Sequence, residues 1–136
     1  PLRIIKLLEN LEIKEKEDTP YVMLDATSGY CMISGKSYPP DVSKFFDPVL
    51  NWLDFLKGSG IKELTFNFKL DYYNTASSKI MLDMLYKLEE FMQEGAEITV
   101  NWYYPDDDEE LLDAGEEFER VVDIPFRLIA YEKDYN

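Results

Sequence analysis

The sequence predicts an α/β fold, a mixed β-sheet whose helices lie mainly on one face, and three observations support this. Strand and helix patterns alternate through the second half of the chain, which favours parallel strands joined by right-handed crossovers. The first half contains short strand patterns separated by turn residues, which favours antiparallel pairing. Apolar and polar residues alternate along the predicted strands, which favours one polar face. The predicted order is β-β-β-α-β-α-β-α-β.

The first three predicted strands are short. Residues 11–17 alternate weakly and are interpreted as an edge strand. Residues 21–25 and 30–34 are richer in apolar side chains, and the turn residues between them predict a hairpin. Residues 1–10 have no clear period and are interpreted as an N-terminal extension.

The first predicted helix follows a loop at residues 36–40, because Pro40 disfavours helix in the residue before it. Asp41 can cap this helix, and the glycines at 58 and 60 end it. Pro48 leaves two interpretations open: a kinked helix, or a short turn that leads into a main helix. The apolar residues at helical spacing are Val42, Phe45, Phe46, Val49, Leu53 and Leu56.

The second half contains three further strands and two further helices. Residues 64–70 and 98–104 alternate as half-buried strands, and residues 126–131 form the last strand. A long helix between the first two strands ends at Gly95, and Asp106–Asp108 open the final helix. Its apolar side consists of Leu111, Leu112, Phe118 and Val122. No linker or internal repeat interrupts the pattern, so we expect one domain over residues 1–136.

The charge of the chain argues against several classes of partner. Its 28 acidic and 14 basic side chains give a formal net charge of −14 at pH 7. Such a surface repels phosphates, which argues against nucleic acid and anionic membranes. The sequence contains neither an apolar run of the roughly 18 residues that span a bilayer nor a signal-peptide pattern. We therefore expect a cytoplasmic protein that binds neither nucleic acid nor membrane.

The residue types also argue against most catalytic sites. Histidine is absent, which removes the commonest general base and the Ser-His-Asp triad. Cys31 is the one cysteine and lies in an apolar run, which predicts a buried, inert thiol. No phosphate-binding glycine loop occurs. We expect no cofactor.

The acidic cluster at residues 106–110 has two interpretations. It could bind a divalent cation or supply carboxylates for acid–base chemistry. It could equally form a helix N-terminus, where aspartates accept backbone hydrogen bonds. The spacing does not match an EF-hand loop, so we favour the structural role and expect no metal.

Residues 74–79, NTASSK, lie between a predicted strand and the long helix. The ordinary interpretation is that Asn74 or Thr75 is the N-cap. The same position suits a phosphorylation switch, because a phosphate adds about −1.5 to −2 charges beside the positive end of the helix dipole. The modification would leave the fold intact and change the surface that a partner meets.

Five short segments occur in a characteristic order: GKSYP at 35–39, WL at 52–53, YNTASSK at 73–79, NWYY at 101–104 and DAGEEF at 113–118. Together they resemble the SiaC family of bacterial regulatory phosphoproteins, over nearly the whole chain from about Leu11 to Ile129. The resemblance implies a fold similar to the STAS domain, a mixed sheet flanked by helices. We interpret the chain as a single SiaC-like domain.

The resemblance also implies a regulatory cycle. A dedicated Ser/Thr kinase modifies a threonine in the family's N-T-S-S segment, and a metal-dependent Ser/Thr phosphatase restores it. The unmodified form binds and activates a diguanylate cyclase, which promotes synthesis of cyclic di-GMP. Carried over by motif, the acceptor is Thr75, framed by Asn74, Ser77 and Ser78. Ala76 stands where the family often has serine, and Ser77 and Ser78 are alternative acceptors.

Three tyrosines are candidates for partner binding. Tyr38 and Tyr73 are predicted in loops near Thr75, and Tyr103 on the open face of the sheet. The sequence therefore predicts a non-catalytic phosphoprotein that binds other proteins. Two alternatives remain: a partner-switching antagonist of an anti-sigma factor, and an acidic metal-dependent hydrolase.

Overall fold

The fold is built on a six-stranded sheet with the strand order β1-β2-β3-β4-β5-β6. The structure is a computed structural model and describes residues 9–134, so most of the proposed extension at residues 1–10 lies outside the described residues. The predicted order of elements is confirmed. The elements are β1 (Leu11–Ile13), β2 (Tyr21–Leu24), β3 (Tyr30–Ser37), α1 (Val42–Leu56), β4 (Glu63–Tyr73), α2 (Thr75–Gln93), β5 (Glu97–Pro105), α3 (Glu109–Val121) and β6 (Phe126–Tyr131).

The sheet is mixed in the way that the sequence predicts. Strands β1, β2 and β3 pair antiparallel, and β3, β4, β5 and β6 pair parallel. Each parallel strand is added on the same side of the one before it. Right-handed crossovers then place α1, α2 and α3 on one face of the sheet.

The core lies between this face and the helices. The register aligns buried side chains in rows across the strands, such as Ile33, Phe68 and Trp102. Trp102 also fixes α3, because its indole Nε1 donates to the carbonyl of Leu111 at 2.9 Å. Cys31 is buried in the same core, and burial raises the pKa of its thiol to about 12, which agrees with the predicted inert cysteine.

Several boundaries differ from the sequence-based prediction. The edge strand predicted over residues 11–17 was too long, because β1 ends at Ile13, and the strands predicted to end at residues 34 and 70 continue to Ser37 and Tyr73. The loop predicted from residue 36 was wrong at its start, because β3 continues to Ser37 through a bulge between Gly35 and Lys36. The long strand β4 reaches Tyr73 and supplies hydrogen-bonding partners for these additional residues. Pro48 lies inside one helix, α1, which Asp41 caps by accepting from the amide of Lys44 at 3.1 Å.

The opposite face of the sheet is polar, as predicted, but less open than expected. Asn67 and Asn101 are buried there and form a ladder across the strands. Asn101 Nδ2 donates to Asn67 Oδ1 at 3.0 Å, and Asn67 Nδ2 donates to the carbonyl of Cys31 at 2.9 Å. Within residues 9–134, no helix combines the length and apolar character that a membrane crossing requires.

Candidate functional site: the start of helix α2 and the groove beside it

The chain passes from β4 into α2 through a single residue, Asn74. Its backbone is extended, with φ −89° and ψ 174°, and its side-chain oxygen accepts from the amide of Ser77 at 2.9 Å. Its own amide donates to the carbonyl of Ser37 at 3.0 Å, which ties the start of the helix to the end of β3. Asn74 is therefore the N-cap, and Thr75 is the first residue of the helix.

The three hydroxyl residues of this turn have different environments. Ser77 is completely buried, and its Oγ donates to the carbonyl of Ser37 at 3.1 Å and lies 2.8 Å from Ser37 Oγ. Ser78 is partly exposed, and its Oγ donates to the carbonyl of Thr75 at 2.7 Å. Thr75 is exposed. In this arrangement Thr75 is more accessible to a second protein than either serine.

A groove runs from Thr75 between α2 and α3, and its cavity has a volume of about 370 Å³. Its polar end contains Asn74, Thr75 and Ser78, and Lys79 and Glu117 lie on its opposite walls. Its apolar lining comes from Leu82 on α2 and from Ala114, Phe118 and Val121 on α3.

Tyr73, one of the three candidate tyrosines, lines this groove. Its ring packs edge-to-face on Trp102 with centroids 6.0 Å apart. Burial, with a smaller contribution from the carboxylate of Glu117, raises the pKa of Tyr73 to about 12. The prediction that Tyr73 lies in a loop was wrong, because Tyr73 is the last residue of β4 and pairs with Ser37 of β3. Tyr38 directly follows β3, so the parallel strands β3 and β4 bring both tyrosines to this edge of the sheet.

The other two tyrosines lie outside the groove lining. Tyr38 is exposed and packs edge-to-face on Tyr72, with ring centroids 5.8 Å apart. Tyr103 is partly exposed and points away from the helices, since the neighbouring Trp102 points toward α3. The structure therefore groups Tyr73 with Asn74, Thr75 and Ser78 and leaves Tyr103 on the other face.

The acidic segment before α3 has a structural role. Asp108 is the N-cap of α3, and its side chain accepts from the amide of Leu111 at 3.0 Å. Glu109 and Glu110 follow in the first turn, where they complement the helix dipole. In the part of the chain that the structure describes, no group of three or more acidic or cysteine side chains is arranged to hold a metal ion.

The sequence-based interpretation missed the α3 wall of the groove. Phe118 was predicted only as part of the apolar side of the last helix, and neither Glu117 nor Val121 was proposed as a site residue, although Glu117 and Phe118 belong to the DAGEEF segment. The signal that could have found them is topological. Because α2 and α3 flank the same strand, β5, residues on their facing sides are neighbours.

Comparison with known proteins identifies the family. The model of the SiaC family regulatory phosphoprotein matches residues 13–131. An uncharacterized protein of Pseudomonas aeruginosa (strain UCBPP-PA14) is 30% identical over 126 residues, which cover 93% of this chain and 100% of that protein.

Solved structures agree. The crystal structure of apo-SiaC from Pseudomonas aeruginosa has a TM-score of 0.83 and 31% identity, covering 90% of this chain and 99% of that one. A chain in the crystal structure of the diguanylate cyclase SiaD in complex with its activator SiaC, from the same organism, has a TM-score of 0.85 and 31% identity. It covers 89% of this chain and 99% of its own length. This chain belongs to the SiaC family of regulatory phosphoproteins.

Proposed function

We propose that this chain is a non-catalytic regulatory phosphoprotein whose unmodified form binds and activates a diguanylate cyclase, and that phosphorylation of Thr75 ends this binding. The activation of a diguanylate cyclase is supported by the family of this chain and by its similarity to SiaC, the activator of SiaD. The observation that carries the assignment to Thr75 is its exposure at the first position of α2, beside a groove, where Ser77 is buried.

The local geometry is compatible with a phosphate at this position. Thr75 is not the N-cap, so its modification leaves the hydrogen bond from Ser77 to Asn74 in place. A phosphate on Thr75 would add about −1.5 to −2 charges beside the first turn of α2, where amide groups and the helix dipole favour an anion. The modification therefore changes the surface without requiring the fold to change.

The proposal includes two modifying partners. A cognate Ser/Thr kinase would add the phosphate and a metal-dependent Ser/Thr phosphatase would remove it. Both would act in the cytoplasm, where ATP for the kinase and GTP for the cyclase are found.

Mass spectrometry after incubation with the cognate kinase and MgATP tests the acceptor. We expect wild-type protein and the matched control Ser78→Ala to gain one phosphate, and Thr75→Ala to gain none. Ser78 is the right control because it is the nearest partly exposed hydroxyl. Phosphate on Thr75→Ala, or none on wild type, would contradict the assignment.

A binding assay tests the output. Unmodified wild type and Thr75→Ala should bind and stimulate the cyclase. Kinase treatment should abolish binding and stimulation of the cyclase for the wild type but not for Thr75→Ala. Thr75→Glu should bind and stimulate the cyclase less than the unmodified wild type does. Recovery of an anti-sigma kinase in place of a cyclase, when unmodified protein is used to capture partners, would instead support the antagonist alternative.

A further inference from the structure

Helices α1 and α2 are joined side by side, whereas α2 and α3 enclose a groove. Lys87 pairs with Asp54 at 2.7 Å and Lys57 pairs with Glu90 at 3.4 Å across the α1–α2 contact. At the end of the groove away from Thr75, Glu89 accepts from the amide of Asp123 at 2.7 Å. That bond ties α2 to the chain directly after α3.

The groove exposes apolar side chains to solvent. Val121 is 51% exposed, and Leu82 and Phe118 are partly exposed. A cavity of about 370 Å³ lies within the range of about 300–1,000 Å³ that binding pockets occupy. It has room for a few aliphatic side chains of a second protein.

The two walls carry opposite charges. Lys79 on α2 and Glu117 on α3 both line the groove and are exposed, and neither forms an ion pair with any residue in the range 9–134. Lys79 lies one helical turn after Thr75, so the two side chains are neighbours on the helix surface.

On the basis of the proposed function, we propose that the cyclase docks in this groove through a segment that presents apolar side chains to Leu82, Phe118 and Val121 and a carboxylate to Lys79. Phosphate on Thr75 competes for this lysine from the adjacent helical turn. It also repels the partner's carboxylate, so the same charge removes an attraction and adds a repulsion.

The effect of phosphorylation on charge favours a partner segment with a carboxylate near Lys79 over one with a basic group at the Thr75 end of the groove. A cation placed there would be attracted by phosphate, so modification would strengthen its binding. Release on phosphorylation through charge therefore points to a partner that is negative near Lys79. The carboxylate of Glu117, on the opposite wall, then favours a cation on the other side of the same segment.

Two pairs of variants test the surface by calorimetry with the purified cyclase that the wild-type chain binds. Val121→Asp should weaken binding by about tenfold or more, and Phe55→Asp should change it by less than about twofold. Phe55 is the matched control because it is a 67% exposed apolar residue on α1, outside the groove. Lys79→Glu should weaken binding by about tenfold, and Lys44→Glu, the same charge change on α1, should not.

A second measurement tests the competition without the cyclase. In protein phosphorylated on Thr75, ³¹P NMR titration should show a pKa of the phosphate that is higher by about 0.3 in Lys79→Gln than in wild type, because a neighbouring cation stabilises the dianion. In Lys44→Gln the pKa of the phosphate should equal that of the wild type.

The outcomes separate this inference from the proposed function. Three results would each overturn the inference and leave the proposed function standing. Val121→Asp could bind the cyclase as tightly as the wild type, or the phosphate could have the same pKa in wild type and Lys79→Gln. The third is self-association of the wild-type chain that Val121→Asp abolishes. Failure of the wild-type chain to bind any cyclase would overturn the proposed function and this inference with it.

Discussion

Gly115 brings α3 against the sheet. A Cβ atom at this position would lie 2.5 Å from Cδ1 and 2.7 Å from Nε1 of Trp102, and 2.8 Å from Cδ2 of Leu128. These contacts join Gly115 of the DAGEEF segment to Trp102 of the NWYY segment. The indole can donate to Leu111 only because the helix approaches this closely.

Gly115→Ala should therefore lower the free energy of unfolding by about 1–3 kcal/mol through overpacking. The sign is diagnostic, because the same change in an unconstrained helix interior stabilises by up to about 1 kcal/mol. Urea unfolding measures the difference, with Glu119→Ala on the exposed side of α3 as the control. A variant as stable as the wild type would show that α3 can move away from Trp102 at no cost.

The buried thiol of Cys31 makes stability depend on pH in the alkaline range. Its pKa is raised from 9.0 to about 12 in the folded chain by burial, the largest contribution. Between these values the unfolded chain loses the proton and the folded chain retains it. The free energy of unfolding therefore falls as pH rises, by at most about 1.4 kcal/mol per pH unit from this group.

Cys31→Ala removes this contribution, so its free energy of unfolding should fall less steeply above pH 9.0 than that of wild type. Comparing slopes rather than values cancels the constant cost of the smaller side chain. Urea unfolding at several pH values gives both slopes. Identical slopes would mean that the thiol ionises equally in both states.

At the scale of elements, α2 depends on its cap. Asn74→Ala removes the acceptor for the amide of Ser77 and should cost about 1 kcal/mol of stability, whereas Asn74→Asp should retain most of it. Thermal unfolding measures the loss. In Asn74→Ala, faster hydrogen exchange confined to the first turn of α2 would show that the stability is lost at this turn. Equal stability of the alanine and aspartate variants would contradict the role of Asn74 as a cap.

The boundaries of elements were predictable where local signals decide them. Asp41 and the alternation along β4 and β5 were sufficient for the start of α1 and for two central strands. The end of β3 was not, because Lys36 and Ser37 join the sheet only through pairing with Tyr72 and Tyr73, which are distant in sequence. Alternation likewise placed Asn67 on the polar face but could not show that it is buried by its neighbours.

At the scale of the whole molecule, candidate residues at the Thr75 end of the groove were predictable, but the groove itself was not. Thr75 and Asn74 belong to one local motif, so the sequence was sufficient to select them. Glu117 and Val121 reach the same groove only because α3 follows β5 on the same face of the sheet. Such proximity is a product of topology and leaves no local pattern.

The net charge of −14 acts on the fold as a whole. Folding concentrates these charges, so their mutual repulsion is larger in the compact chain than in the unfolded one. The ion pairs of Lys57 with Glu90 and of Lys87 with Asp54 are partly or largely exposed and contribute little in comparison. Salt should therefore weaken the repulsion among the acidic side chains by more than it weakens the attraction within the ion pairs.

The melting temperature should accordingly rise when NaCl is increased from about 10 mM to about 150 mM, as the Debye length falls from about 30 Å to about 8 Å. KCl at the same ionic strength should give the same rise, since screening does not depend on the identity of the cation. A larger effect of one cation would indicate a specific binding site. A fall with either salt would mean that attractive charge pairs dominate, and that the acidic surface is organised to stabilise the folded chain.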